Sequence, residues 1–174
     1  MPERSDSPAI AAYYRENDEH CAPWSPLRAP SFYSEPYWAL QIEHLAAEFL
    51  ADKSLKLILF DKSSGEPAGH AHFSSILRGP AHYCTLGYAL AHKKQGQGYM
   101  FEALKSAIPY VFDTLNLHRI AANYIPHNER SGKLLRRLGF TPEGYARDYL
   151  FIAGRWQDHI LTSLVNEHWQ EPRV

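Results

Sequence analysis

Two cysteines in 174 residues, Cys21 and Cys84, are too few for a disulfide framework or a four-cysteine zinc site. Neither sign of charge dominates, with 18 Lys and Arg against 19 Asp and Glu and a net charge of −1. A dedicated nucleic-acid binder is strongly basic, so no direct nucleic-acid contact is expected. No apolar run approaches the ~20 residues of a membrane helix, and Met1-Pro2-Glu3-Arg4-Ser5-Asp6 is charged where a secretory signal would be apolar. Repeats, low-complexity stretches and a linker that would split the chain are also lacking. The expectation is one reduced, cytoplasmic domain over residues 1–174. No Gly-Lys-Ser/Thr follows the glycines at 96 and 98, which excludes a nucleotide P-loop. A dinucleotide fingerprint would need a third glycine where Phe101 stands.

What is present is ample core material, 45% hydrophobic and 13% aromatic. The charge is sorted along the chain. Residues 1–52 carry nine acidic and three basic side chains, residues 53–174 ten and fifteen. Two readings stand: a solvated helix face, or a later part that meets a polyanion and an earlier part that meets a cation.

Ser7-Pro8 starts a helix over about 8–19, and prolines 23, 26 and 30 enforce a connector. A second helix begins at Ser34, with Trp38, Ile42, Leu45 and Phe49 at helical spacing. Strands are expected at Leu55–Phe60, Ala68–Leu77 and His82–Leu90, joined by short turns as an antiparallel meander. A helix follows over Tyr99–Phe112, then a buried strand over Arg119–Ile125. Asn128 caps a helix that ends at Gly139, and strands close the chain at Gly144–Ile152 and Trp156–Leu164. A strand–helix–strand unit around Tyr99–Phe112 implies one parallel neighbour in an otherwise antiparallel sheet.

Gln95-Gly96-Gln97-Gly98-Tyr99-Met100 lies between a strand and a helix, where glycine lets the backbone approach a ligand and free N–H groups favour an anion. An ordinary turn would also account for the two glycines. The stretch resembles the Gln/Arg-x-x-Gly-x-Gly/Ala loop of the GNAT N-acetyltransferases, with Gln95 first, Gly98 fourth and Met100 in place of the final small residue. Asn128-Glu129-Arg130-Ser131 and Leu138-Gly139-Phe140 resemble the branch that acetylates ribosomal proteins at their N-termini. So do Pro23-Trp24, Phe73-Ser74, Leu86-Gly87-Tyr88 and Glu143–Leu150, and the likeness runs over residues 9–169.

The resemblance implies an α+β fold, a mixed and mostly antiparallel sheet flanked by helices. It implies acetyl-CoA as cosubstrate, a basic protein N-terminus as acceptor (the alanine of ribosomal protein S5 in the most similar members), and no metal. Gln95 to Met100 would cradle the pyrophosphate, Tyr88, Ala89 and Leu90 would offer oxyanion donors, and Asn128 would bind the pantetheine arm. Ser131 would protonate the departing thiolate and Asp148 would take the amine proton through water. Trp24, Tyr33 and Tyr83 would line the acceptor channel. Read without the resemblance, Asn128 is a helix cap, Ser131 a surface serine, Asp148 a partner for Arg147 or Arg155, and the aromatics core. His70 and His72 share a strand face but have no Cys or carboxylate in register. The family also opens with an edge strand, and only seven residues precede Pro8. Either the start is shortened or Leu55–Phe60 is an open edge that could pair in a homodimer.

An α-amine titrates near ~7.7–8.0 and a lysine near ~10.4, a difference of roughly 3.4 kcal/mol in deprotonation, which favours an N-terminal acceptor. Two rivals stay open: the same fold acting on a small-molecule amine, and a non-catalytic ribosome-assembly protein.

Overall fold

The computed structural model describes residues 1–171; residues 172–174 lie outside it. Helix α1 spans Ser7–Glu16, shorter than the sequence predicts, because the chain breaks at Asn17 before a single turn, α2, at Asp18–Cys21. Asn17 has another use: its Nδ2 donates to the Tyr13 carbonyl at 2.8 Å and its Oδ1 accepts the His92 N–H at 2.9 Å. Helix α3, Glu35–Leu50, begins where Ser34 Oγ accepts the Tyr37 N–H, with Pro36 in its first turn.

Strands β1 (Leu55–Phe60), β2 (Pro67–Leu77) and β3 (Tyr83–Leu90) form the expected meander. Helix α4, Tyr99–Pro109, ends three residues early. Pro109 has no N–H to continue the ladder, and Tyr110–Thr114 follows as a π-turn. Strand β4, Arg119–Ala121, is parallel to β3. Helix α5, Glu129–Arg137, leads into β5 (Thr141–Ile152) and β6 (Arg155–Val165), joined by Ala153-Gly154, both at positive φ as a tight hairpin requires. The sheet order is β1-β2-β3-β4-β6-β5, antiparallel except at β3–β4. Strand β1 stands at one end of this order.

Alternation along the strands sorts the side chains onto two faces. Leu55, Phe73, Leu86, Ile120 and Tyr124 pack with Leu104 and Ile108 of α4 and Leu135 of α5 in one core. A second, aromatic cluster of Ile10, Tyr13, Tyr14, Trp38 and Ile42 covers Ile58 on the other face, next to β1 and β2. The rest of that face is uncovered, and there the cleft lies.

The predicted strand over 119–125 is in fact three residues of ladder followed by a divergence. Pairing of β3 with β4 stops at Thr85↔Ala121. Beyond it the backbone of residues 122–124 bonds only to β6: Ala122 N–H to Thr162 O at 3.0 Å, and Tyr124 with Ile160 in both directions. Asn123 adds a bond on the same side, its Oδ1 accepting the Thr162 N–H of β6 at 3.2 Å. The result is a splay between β3 and β4.

Candidate active site

A cleft of about 1490 Å³ runs from the α4 N-terminus across this splay. Its first end is built for an anion. Gly96 and Gly98 hold φ of 72° and 86°, and nothing stands within 4 Å of where a Cβ would be, so the loop backbone faces open space. Intrahelical bonding starts with Glu102 N–H to Gly98 O, which leaves the N–H groups of Tyr99, Met100 and Phe101 without helical partners. Arg130, Lys133 and Arg137 of α5 line the same end. Gln95 bridges two elements, accepting from Arg130 on Oε1 and meeting His20 Nε2 at 2.7 Å. Gln97 turns back to the Lys93 carbonyl, and Lys94 is committed to Asp61 at 2.6 Å. These residues fit a phosphate-bearing cosubstrate.

Tyr88, Ala89 and Leu90 do not contribute alike. Ala91 N–H bonds Ala68 O directly across the β2–β3 register, so Ala89 also bonds toward β2. The N–H groups of Tyr88 and Leu90 therefore point the other way, into the splay. The Ala89 amide does not.

Asn128 caps α5, its Oδ1 accepting the Ser131 N–H at 3.2 Å, and it lines the cleft as well. Ser131 Oγ lies 2.7 Å from the Tyr88 hydroxyl. Burial pushes the Tyr88 phenol up to about 12 and the bond to Ser131 opposes that, so at neutral pH both hydroxyls keep their protons. Cys84 is fully buried and its thiol is pushed up to about 12, unsuited to nucleophilic attack.

The other end of the cleft is floored by His70, His72, Thr85, Asn123 and His159, and walled by Trp24, Arg28, Tyr149 and Leu150. Trp24 is among the lining residues, its ring 5.3 Å from His127. Tyr33 and Tyr83 are not among the lining residues. The Tyr33 hydroxyl turns to Asp18, and Tyr83 starts β3 opposite Leu77 and Arg119, away from the splay.

Asp148 is exposed and outside the lining, and the cause is a bulge. Ala146 pairs with His159 and Leu150 with Gln157, so three residues of β5 oppose the single Asp158. In an unbroken ladder Asp148 would sit opposite Gln157, on the cleft face. The two extra residues give that place to Leu150 and turn Tyr149 against His159, ring to ring at 5.4 Å. Asp148 itself takes φ 46°, its N–H donated to Asp158 Oδ1 at 2.9 Å. Among the described residues no group of three His, Cys, Asp or Glu side chains could hold a metal.

Sequence reasoning missed the Tyr88 hydroxyl, Asn123, Tyr149 and His159. Tyr88 was read only for its backbone N–H, and the pairing of its hydroxyl with Ser131 needed the packing of α5 on β3. The other three depend on the splay and the bulge, which no local pattern announces.

An anion cradle at a helix start, a splayed strand pair and a paired hydroxyl at the splay are the parts of an acyltransfer site fed by a CoA thioester. The chain belongs to the GNAT acetyltransferase family, whose domain model matches residues 1–141. It is 45% identical to the [ribosomal protein uS5]-alanine N-acetyltransferase of Escherichia coli K12, over 97% of this chain and 87% of that one. The ribosomal-protein-S5-alanine acetyltransferase structure from Vibrio fischeri superposes with a TM-score of 0.95 at 38% identity, covering 98% of this chain and 93% of that one. Mycobacterium smegmatis RimJ, solved with CoA-disulfide, gives 0.89 at 25% identity, covering 98% and 82%. The protein is an acetyl-CoA-dependent N-acetyltransferase, and no helix among the described residues is long and apolar enough to cross a membrane.

Proposed function

We propose that this chain acetylates the N-terminal α-amine of ribosomal protein S5, at alanine, in the cytoplasm. The observation that carries the reading is the 45% identity to the E. coli enzyme across 97% of the chain. Two features of the site support it. The cleft is larger than the several hundred Å³ typical of a small-molecule pocket, with room for a cosubstrate and a chain end. The acidic first third also suits a basic ribosomal target.

Acetyl-CoA, when bound, supplies an activated acetyl carbonyl and a thiolate leaving group. Gly96, Gly98, the first N–H groups of α4 and the α5 cations hold its phosphates, and Asn128 holds the pantetheine arm. The N–H groups of Tyr88 and Leu90 stabilise negative charge on the carbonyl oxygen. Ser131 holds at Oγ the proton that the departing sulfur needs, and the Tyr88 hydroxyl orients it and keeps it supplied. Trp24 lines the acceptor path. Asp148, on the exposed bulge, acts at the rim as a carboxylate that attracts the cationic N-terminus.

The test is mass spectrometry of acetyl transfer to a basic peptide beginning with alanine, beside a copy whose α-amine is blocked and whose lysines are free. Label on the first alone is expected. Label on the blocked copy would move the acceptor to lysine, and label on neither, with transfer to spermidine, would move it to a small amine.

A further inference from the structure

The acceptor end of the cleft contains a histidine with its lone pair unused. His159 is 4% exposed, lies on β6 and faces the cleft with Asn123 and Tyr149. Its Nδ1 is 3.0 Å from the Gln157 carbonyl oxygen. A carbonyl only accepts, so in the neutral ring Nδ1 carries the hydrogen and Nε2 the lone pair. Among the described residues Nε2 has no hydrogen-bond partner, and it is not among the fully occluded polar atoms. The ring is held by its neighbours: Tyr149 packs against it and is itself tied to Asn123 Nδ2 at 3.3 Å.

We propose that His159 is the base that takes the proton from the incoming amine, a role that rests on the N-acetyltransferase reading above. The protonated amine gives one proton to Nε2, which leaves a neutral amine with a free electron pair. The imidazolium then releases that proton to water in the open cleft. The second amine proton is lost as the amide forms and replaces the one Ser131 donates, so the exchange closes with one proton released. The geometry separates the two proton steps. Tyr88 and its Ser131 partner lie on the face covered by α4 and α5, whereas His159 alternates with the core-packed Ile160 and so faces the opposite way. The splay between β3 and β4 joins the two sides. Asp148 is excluded from this step by the bulge that carries it away from the cleft.

The test uses the full chain in two measurements. In the first, the 15N resonance of His159 Nε2, assigned through its backbone, is followed at pH 7 as the CoA complex is titrated with the alanine peptide. A shift toward the imidazolium position is expected, and none with the blocked peptide. In the second, His159→Gln keeps a polar side chain of similar reach but has no basic lone pair. Its kcat on the peptide falls about 100-fold or more at pH 7, with the KM for acetyl-CoA within about twofold. The deficit narrows at pH 9, where solution already deprotonates an α-amine of pKa ~7.7–8.0. The charged and titratable groups around His159 are Tyr149, Asp158 with its neighbour Arg147, and His70 and His72 on the same sheet face. The pH-dependent deficit must therefore appear in His159→Gln alone, with Tyr149→Phe and His72→Gln showing no such narrowing.

A variant within about threefold of the unaltered chain, a deficit independent of pH, or an unmoved resonance overturns the assignment. If the unaltered chain transfers acetyl to no amine, the N-acetyltransferase reading falls and takes this one with it.

Discussion

On the face covered by α4 and α5, β1, β2, β3 and β4 present Leu55, Phe73, Leu86 and Ile120, all buried in one apolar core. At neighbouring positions of β1, β2 and β3 the opposite face presents Lys56, His72 and Thr85, and Asn123 follows just beyond β4. Period-2 alternation makes both faces from one backbone, so their difference is a choice of side chains and not of fold. The polar face costs stability. Burial lowers the Lys56 ammonium to about 8, with Arg28 adding to the effect, and lowers His72 to about 4, with Lys56 adding to it. Lys56 has the rings of Trp38 and Tyr14 beside it, at 5.2 and 5.7 Å, in place of a carboxylate. A sheet selected for stability alone would carry apolar residues at these positions. The first face holds the protein together, and the second supplies His70, His72 and Thr85 to the cleft.

The largest effect that would break this contrast is a stability one. Phe73→Ala, which empties a fully buried site, is expected to cost about 3–5 kcal/mol by urea unfolding, against less than about 1 kcal/mol for Thr85→Ala across the pleat. Next in size is the hydroxyl pair. Ser131→Ala and Tyr88→Phe should each lower kcat about 10- to 100-fold with the KM for acetyl-CoA little changed. The double variant should be no worse than the worse single, because the two act as one unit. Acid comes third. His70 and His72 have folded pKa values below the ordinary 6.5, so the unfolded chain binds their protons first. Stability is then lost as pH falls from about 6.5 toward 4, by on the order of 2 kcal/mol for His72, and His72→Gln flattens the melting-temperature curve there. The smallest effect is a gain. Lys56→Met removes a cation held below its ordinary pKa and should add about 1–2 kcal/mol at pH 7, the gain fading as pH rises from about 8 to 10.5.

Much of this was legible in the residues. Six runs of alternating or apolar residues became six strands, Ser34 and Asn128 capped the helices they precede, and Gln95 to Gly98 formed the loop before α4. Pro109 was overlooked because its neighbours keep helical spacing on either side. The short β4 and the splay follow from pairing decisions across the sheet, which a local pattern does not encode. Asp148 shows the limit most sharply: counted from Ala146 it belongs on the cleft face, and only the long-range register, Leu150 against Gln157, reveals that it is not there. The same register brought out His159, a residue whose local sequence offers nothing beyond a histidine in a strand.

The claim that the acetyl donor and the amine approach from opposite sides of the splay is tested most directly by a structure of the chain with a bisubstrate analogue, CoA joined through its acetyl group to the α-nitrogen of an alanine peptide. The account predicts the pantetheine arm beside Asn128 and Tyr88, the linking carbonyl oxygen on the N–H groups of Tyr88 and Leu90, and the peptide leaving past His159 and Trp24. A peptide running out along α5, with His159 unvisited, would contradict it.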